Sequence, residues 1–233
     1  IPPVIASVSH QPYIAKHLVE AGYSKFKDCV SYVIPIPVKL PEVYKMAHNR
    51  ILKNSELRLL SFSRRRDLRP YFKPVMELMN EAYEPIFGFE PMSKTDIEDL
   101  ANQYLAVIDP RLVKVVVDLN GKPVSFVIAM GNISRGLQRS RGKLFPFGFI
   151  FLLLAMRKPV RLDLLLGAVR KEYRGRGLNV LMGVSLMETA RKMGMETMDS
   201  HLILEENYKM RSELEHLGGT VSKRYRIFIK ELS

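Results

Sequence analysis

Residues 164–182 read LLLGAVRKEYRGRGLNVLM, an apolar run of strand character from Leu164 that passes through a basic, glycine-bearing turn into helical periodicity ending at Met182. At such a junction the first amides of the helix lack main-chain partners and glycines let the backbone approach a ligand. The helix dipole adds about half a positive charge. Arg174 and Arg176 supply full charges beside it. The pattern is that of an anion cradle, and an ordinary solvated basic turn has the same composition; the loop alone does not separate the two. It is not a Walker loop, because no Gly-Lys-Ser/Thr follows, and it lacks the three-glycine dinucleotide spacing.

Around this stretch, 161–169 reads as a buried strand and 177–193 as the helix after the loop. Downstream come a strand over 198–204, a helix over 208–217 and a last strand over 221–229. Upstream, 113–118 and 123–130 flank Asn120-Gly121, a strong hairpin signal. Helices are expected over 68–83 and 93–107, the latter capped by Ser93 with Asp96, after a strand begun by Leu57, Leu59 and Leu60. Helical spacing also marks 12–21 and 42–52, with a strand near 29–36 and prolines 35, 37 and 41 between. The order predicts an α/β fold with a mixed sheet, its parallel neighbours joined through the helix that starts at Gly177.

The loop Arg174-Gly175-Arg176-Gly177-Leu178-Asn179 resembles motif A of the GNAT-type N-acetyltransferases, Q/R-x-x-G-x-G/A. Arg174 and Gly177 match its fixed positions, and Asn179 replaces the last Gly or Ala. Residues 206–219, ENYKMRSELEHLGG, resemble motif B of the same family through Asn207 and Gly218, with Leu214 where many members carry a tyrosine. The resemblance covers 56–233 and implies a GNAT-like mixed β-sheet flanked by helices, with acetyl-CoA or acyl-CoA as cosubstrate and no metal. It places the coenzyme A pyrophosphate on the backbone of Arg174, Gly175, Arg176, Gly177, Leu178, Asn179 and Val180. Ala168 and Val169 would lie along the pantetheine, and Asn207 completes the site. It implies direct transfer of an acyl group to an amine, the thioester carbonyl being polarised by a backbone N–H near Gly167 to Val169. Glu205, Glu206 and Tyr208 are the candidate acid–base residues, with His201 beside them in the strand. Leu214 puts protonation of the leaving thiolate in question. A non-catalytic GNAT-fold binding module and an aminoacyl-tRNA-dependent transferase are the alternatives.

Residues 10–23 can be laid on 207–220, with His10 on Asn207 and Gly22 on Gly219. This divides the chain into the tail of a first GNAT-like copy (1–38), a linker helix (39–55) and the acyltransferase domain (56–233). The opening Ile1-Pro2-Pro3 has no signal-peptide character and reads as a cut end.

Composition bounds the function further. One cysteine, Cys29, leaves no internal disulfide or cysteine-cluster metal site, as a reducing, cytoplasmic setting permits. The net charge of +12 is concentrated: 135–176 holds eleven Lys or Arg against two acids, a local net of +9. Coenzyme A phosphates suit this excess; nucleic acid is the lesser expectation. Residues 77–109 carry eight acids and one base. These are a solvated face or the rim of a pocket for a cationic acceptor, a small molecule or peptide amine, with the aromatic loop 83–89 beside it. The apolar run 144–156 is too short for a transmembrane segment, which needs ~20 residues. It reads first as a buried helix, and otherwise as a wall for a long acyl chain or a peripheral membrane contact, since Arg135, Arg139, Arg141 and Lys143 precede it.

Overall fold

Asp118 closes the Asn-Gly hairpin: its Oδ1 accepts from the Asn120 and Lys122 amides, both at 2.9 Å, while Gly121 takes φ +76°. The strands so joined are β3 (Val113–Val117) and β4 (Pro123–Gly131), antiparallel from Val113 opposite Ile128 to Val117 opposite Pro123. The structure, a computed structural model, describes residues 10–52, 56–86, 88–105, 108–143, 145 and 147–231. The expected cut end Ile1-Pro2-Pro3, Phe87, the expected helix end at Val107, and Leu144 and Pro146 of the apolar run lie outside the described residues.

The chain forms two compact units, and both are discontinuous in sequence. One comprises Pro37–Met130 and Leu164–Met193, the other the residues up to Ile36, Gly131–Asp163, and those from Gly194 on. The expected boundaries at 38 and 55 follow the order of the sequence, whereas β5 (Arg161–Val169) gives its first three residues to one unit and its last six to the other.

In the first unit, β2 (Arg58–Ser61) pairs antiparallel with β3, and β4 neighbours the second half of β5. Side chains alternate on β3, so each face of the sheet builds its own core. Val113, Val115 and Val117 pack with Phe126, Ile128 and Ala168 beneath α3 (Arg65–Tyr83) and α4 (Lys94–Tyr104), whose Phe72, Met76 and Ile97 are buried. Val116 packs the other way, with Val124 and with Leu178, Leu181 and Met182 of α7 (Leu178–Lys192); Ile51 of α2 (Glu42–Leu52) joins this cluster. The α4 cap forms as the sequence requires. The Asp96 amide donates to Ser93 Oγ at 3.2 Å, and the Ser93 amide to Asp96 Oδ2 at 2.9 Å.

In the second unit, β6 (Thr197–Asp199) runs parallel to the start of β5, Leu162 opposite Met198, as expected for strands joined through α7. β1 (Ser24–Pro35) pairs antiparallel with β6, with β7 (Ile203–Leu204) and, over its length, with β8 (Thr220–Ile229). The expected continuous strand over 198–204 is interrupted. His201 sits at φ +59° between β6 and β7, a left-handed backbone that strands do not carry.

The expected likeness between the two helix–glycine–strand segments has a counterpart in local geometry. After α1 (Tyr13–Glu20), Gly22 takes φ +84° and the Tyr23 amide bonds the Leu18 carbonyl. After α8 (Tyr208–His216), Gly218 takes φ +81° and the Gly219 amide bonds the Leu214 carbonyl. Gly22 therefore corresponds to Gly218, one position from the sequence alignment. The following strands, β1 and β8, pair with each other, Ser24 opposite Ile229 and Val33 opposite Thr220.

The insertion folds as α5 (Ser134–Arg139) and α6 (Gly148–Arg157), and the expectation of a buried helix is not met: Gly148 is the buried residue of α6. Apart from Arg157 at its end, the helix is apolar and has no polar face to turn outward, so burial would need protein on every side, and the described residues cover only one seam.

Candidate functional site

The loop after β5 descends through a 3-10 turn (Lys171–Tyr173) into two left-handed glycines, Gly175 at φ +79° and Gly177 at φ +78°. These conformations are open to glycine and strained for other residues. They turn the chain so that α7 begins at Leu178, where the Leu181 amide closes the first helical turn on the Gly177 carbonyl at 3.0 Å. The amides of Leu178, Asn179 and Val180 precede that bond and are left without helical partners. A Cβ on Gly175 would meet nothing within 4 Å, so the cradle is open there; one on Gly177 would lie 2.7 Å from Ile51 Cδ1. Arg174 Nε donates to the Val169 carbonyl at 3.3 Å, and the Arg176 guanidinium lies 5.0 Å over the Tyr173 ring. Both arginines are exposed at the loop. Asn179, the departure from motif A, is also exposed.

Along β5 toward this loop, Ala168 is buried and its carbonyl accepts from Ser125 Oγ at 2.9 Å. Gly167 is met by Tyr83 from the end of α3. The Tyr83 O–H donates to the Gly167 carbonyl at 3.0 Å, and its oxygen accepts from the Gly167 amide at 3.2 Å. The hydroxyl thus bridges both polar groups of the residue at which the resemblance expects a carbonyl-polarising amide. Burial raises the Tyr83 phenol, against the hydrogen bond with Gly167, so it stays protonated at neutral pH. The sequence pointed to Tyr83 only as the first residue of an aromatic loop; its hydroxyl's partner lies 84 residues away and leaves no local signal.

The remaining candidates belong to the unit built on β1, β6, β7 and β8. Asn207 caps α8, its Oδ1 accepting from the Met210 amide at 3.2 Å. Glu205 pairs with Arg224 at 2.5 Å and Glu206 with Lys27 at 3.2 Å, while Tyr208 is 71% exposed. Leu214, in the usual tyrosine place, is buried.

Sequence reading missed the buried ionic cluster of this unit. Arg161 Nε pairs with Asp163 Oδ1 at 2.9 Å and its Nη1 approaches Asp199 Oδ2 at 4.0 Å, both carboxylates being almost fully buried. Asn132 Nδ2 donates to Asp163 Oδ2 at 2.5 Å, and the His201 amide to Asp199 Oδ1 at 3.2 Å. Burial pushes Asp163 up and His201 down, so the imidazole is held neutral. Lys223 Nζ and Arg161 Nη2 are buried without a hydrogen-bond partner among the described residues.

No family model matches the chain. Over 99% of its length it is 29% identical to a protein named bacterial ceramide synthase from Caulobacter vibrioides, and over the same share 22% identical to Protein YghO from Escherichia coli. It spans 61% and 60% of those proteins. Among solved structures it is similar to a GCN5-related N-acetyltransferase from Sphaerobacter thermophilus, with TM-score 0.59 and 15% identity over 94% of this chain and 56% of that one. A tandem GNAT protein from the clavulanic acid biosynthesis pathway gives 0.53 and 14% over 97% and 60%. The C-terminal domain of a putative lysylphosphatidylglycerol synthetase from Agrobacterium fabrum gives 0.52 and 13% over 93% and 64%. At these identities the likeness is one of fold: the chain carries the GCN5-related N-acetyltransferase fold.

Proposed function

We propose that the chain is an N-acyltransferase moving an acyl group from coenzyme A to the amine of a long-chain amino alcohol. The cradle at Arg174 to Val180 supports this reading: two left-handed glycines lead into the free first amides of α7, with two exposed arginines in the same loop, a combination suited to a pyrophosphate. The acceptor follows from the relative named bacterial ceramide synthase, since a ceramide is the amide of a fatty acid and a long-chain amino alcohol. Ala168 and Val169 line the pantetheine in this proposal. The amine nitrogen attacks the thioester carbonyl, the C–N bond forms and the C–S bond breaks. The nitrogen loses a proton and the coenzyme A sulfur gains one.

Two protonation roles then need residues. For the sulfur we assign Tyr83, whose hydroxyl meets β5 at Gly167 and whose burial keeps it protonated, a proton donor that answers the leucine at 214. For the amine, the candidates are Glu205 and Glu206, paired with Arg224 and Lys27, together with Tyr208 and with His201, which burial holds neutral. Tyr83→Phe is expected to lower kcat by about 10- to 100-fold with donor affinity unchanged, general-acid contributions being commonly of order 10² or more. Parallel loss of donor affinity would make Tyr83 a binding residue instead.

Calorimetric titration of acetyl- and palmitoyl-coenzyme A into the protein, with Arg174→Ala/Arg176→Ala as control, tests the donor site. Saturable binding weakened at least about tenfold in the variant is expected, each charge-assisted contact being worth roughly 1.5–3 kcal/mol. No binding by the folded protein would sink the coenzyme A reading and leave the non-catalytic module. The basic stretch 135–176 supports a second reading, an aminoacyl-tRNA-dependent transferase. That reading requires tRNA affinity falling steeply with salt, which one coenzyme A does not show.

A further inference from the structure

We propose that α5 and α6, with Arg141, Lys143, Phe145 and Phe147 between them, form a docking surface for an anionic lipid bilayer. The inference is separate from the transferase reading and rests on what 131–162 exposes.

The helix α6, GFIFLLLAMR, is seated along a single narrow seam. Gly148 is buried, and a Cβ there would fall 1.6 Å from the Lys143 carbonyl oxygen. Gly136 of α5 lets α6 approach closely, since a Cβ there would stand 2.7 Å from the Phe151 carbonyl oxygen and 3.0 Å from Ala155 Cβ. Leu152 and Ala155 complete the half-buried side. Every other apolar side chain of α6 is exposed, from 38% for Phe151 to 54% for Leu154, and Phe145 and Phe147 ahead of it reach 82% and 68%. Isolated exposed apolar side chains need no explanation; eight large ones in twelve residues do.

Charge selects the occupant. Residues 131–162 contain seven Lys or Arg and no Asp or Glu. Arg135, Arg139, Arg141 and Lys143 precede the apolar helix, Arg157 and Lys158 end it, and all six are exposed. None of the six is ion-paired among the described residues. A second copy of the chain would bring this rim against the same rim, cation against cation. A bilayer with anionic headgroups accepts both parts at once, the aromatic and aliphatic side chains at the acyl boundary and the basic rim among phosphates. The ten residues of α6 extend about 15 Å. That length suits a helix lying in the interface.

The test is sedimentation of the protein with vesicles of phosphatidylcholine alone and with phosphatidylglycerol added. A fluorescence arm uses Phe151→Trp, because the chain contains no tryptophan and the indole introduced by this substitution reports alone. Binding to anionic vesicles with a blue shift of that indole's emission is expected. Leu153→Asn/Leu154→Asn, both exposed and away from the Gly136 seam, should weaken it at least about tenfold. Arg139→Ala/Arg141→Ala/Lys143→Ala should weaken it by a margin that shrinks as salt rises. Three results would overturn the proposal: no binding to anionic vesicles, binding indifferent to the leucine pair, or self-association abolished by that pair with no vesicle binding. The last would assign the surface to a second copy.

Discussion

Asp163→Ala is expected to destabilise the protein by about 3–5 kcal/mol, the range for removing one partner of a buried ion pair. The Asp163 side chain is 1% exposed and that of Arg161 12%, so the guanidinium left behind cannot recover its hydration. The local balance makes the loss worse. Arg161 and Lys223 stand against Asp163 and Asp199, two cations and two anions, and Lys223 Nζ already lacks a hydrogen-bond partner among the described residues. Removing Asp163 leaves two cations facing Asp199 alone and strips Asn132 of its 2.5 Å acceptor. Chemical denaturation with an unchanged m-value would report this as a change in the native state. The double variant Arg161→Met/Asp163→Leu separates charge from packing, because it restores one cation to one anion and fills the volume. It is expected to recover most of the lost stability, as apolar replacements of buried pairs commonly do. Equal destabilisation in single and double variants would show instead that the site depends on the shape of these residues.

The cluster also shows where sequence reading stops. Its members come from 132, 161, 163, 199, 201 and 223; the strand period of two links 161 with 163 and 199 with 201, but no sequence pattern brings these pairs to each other or to 132 and 223. They meet because β5 and β6 run parallel with Asp163 opposite Asp199, a register fixed only in the folded sheet. The same holds for Tyr83 and Gly167. Where the physics is local the sequence was sufficient: Asn120-Gly121 closed its hairpin, Ser93 and Asp96 capped α4, and the bounds Glu42–Leu52 of α2 and Arg161–Val169 of β5 came out as expected. Local physics also misled. Apolar content was read as burial in α6, although hydrophobicity states only what a side chain avoids, and a bilayer satisfies that as well as a core. The interleaving of the units was illegible for a related reason. β1 pairs with strands about 200 residues away, and long-range pairing leaves no periodicity of its own.

Gly177→Val is expected to lower donor affinity by about 100-fold or more, through loss of two or more charge-assisted hydrogen bonds of roughly 1.5–3 kcal/mol each. Gly177 sits at φ +78°, where a β-branched residue is strongly disfavoured, and its new side chain would press on Ile51 Cδ1 at the 2.7 Å Cβ position. The end of Ile51 can move aside, so the clash is the smaller effect. The backbone strain, about 1–3 kcal/mol, is relieved only by rotating out of the left-handed region, and this redirects the following amides of Leu178, Asn179 and Val180. Affinity should therefore fall much further than stability. Gly183→Ala is the control on the same helix: a Cβ there meets nothing within 4 Å and the backbone is ordinary, so a gain of about 0.5–1 kcal/mol in stability with unchanged donor affinity is expected. Calorimetry on both variants, with melting curves alongside, decides the point. If Gly177→Val melts near the wild-type temperature and still binds coenzyme A with wild-type affinity, the left-handed turn is a structural corner and the pyrophosphate site lies elsewhere.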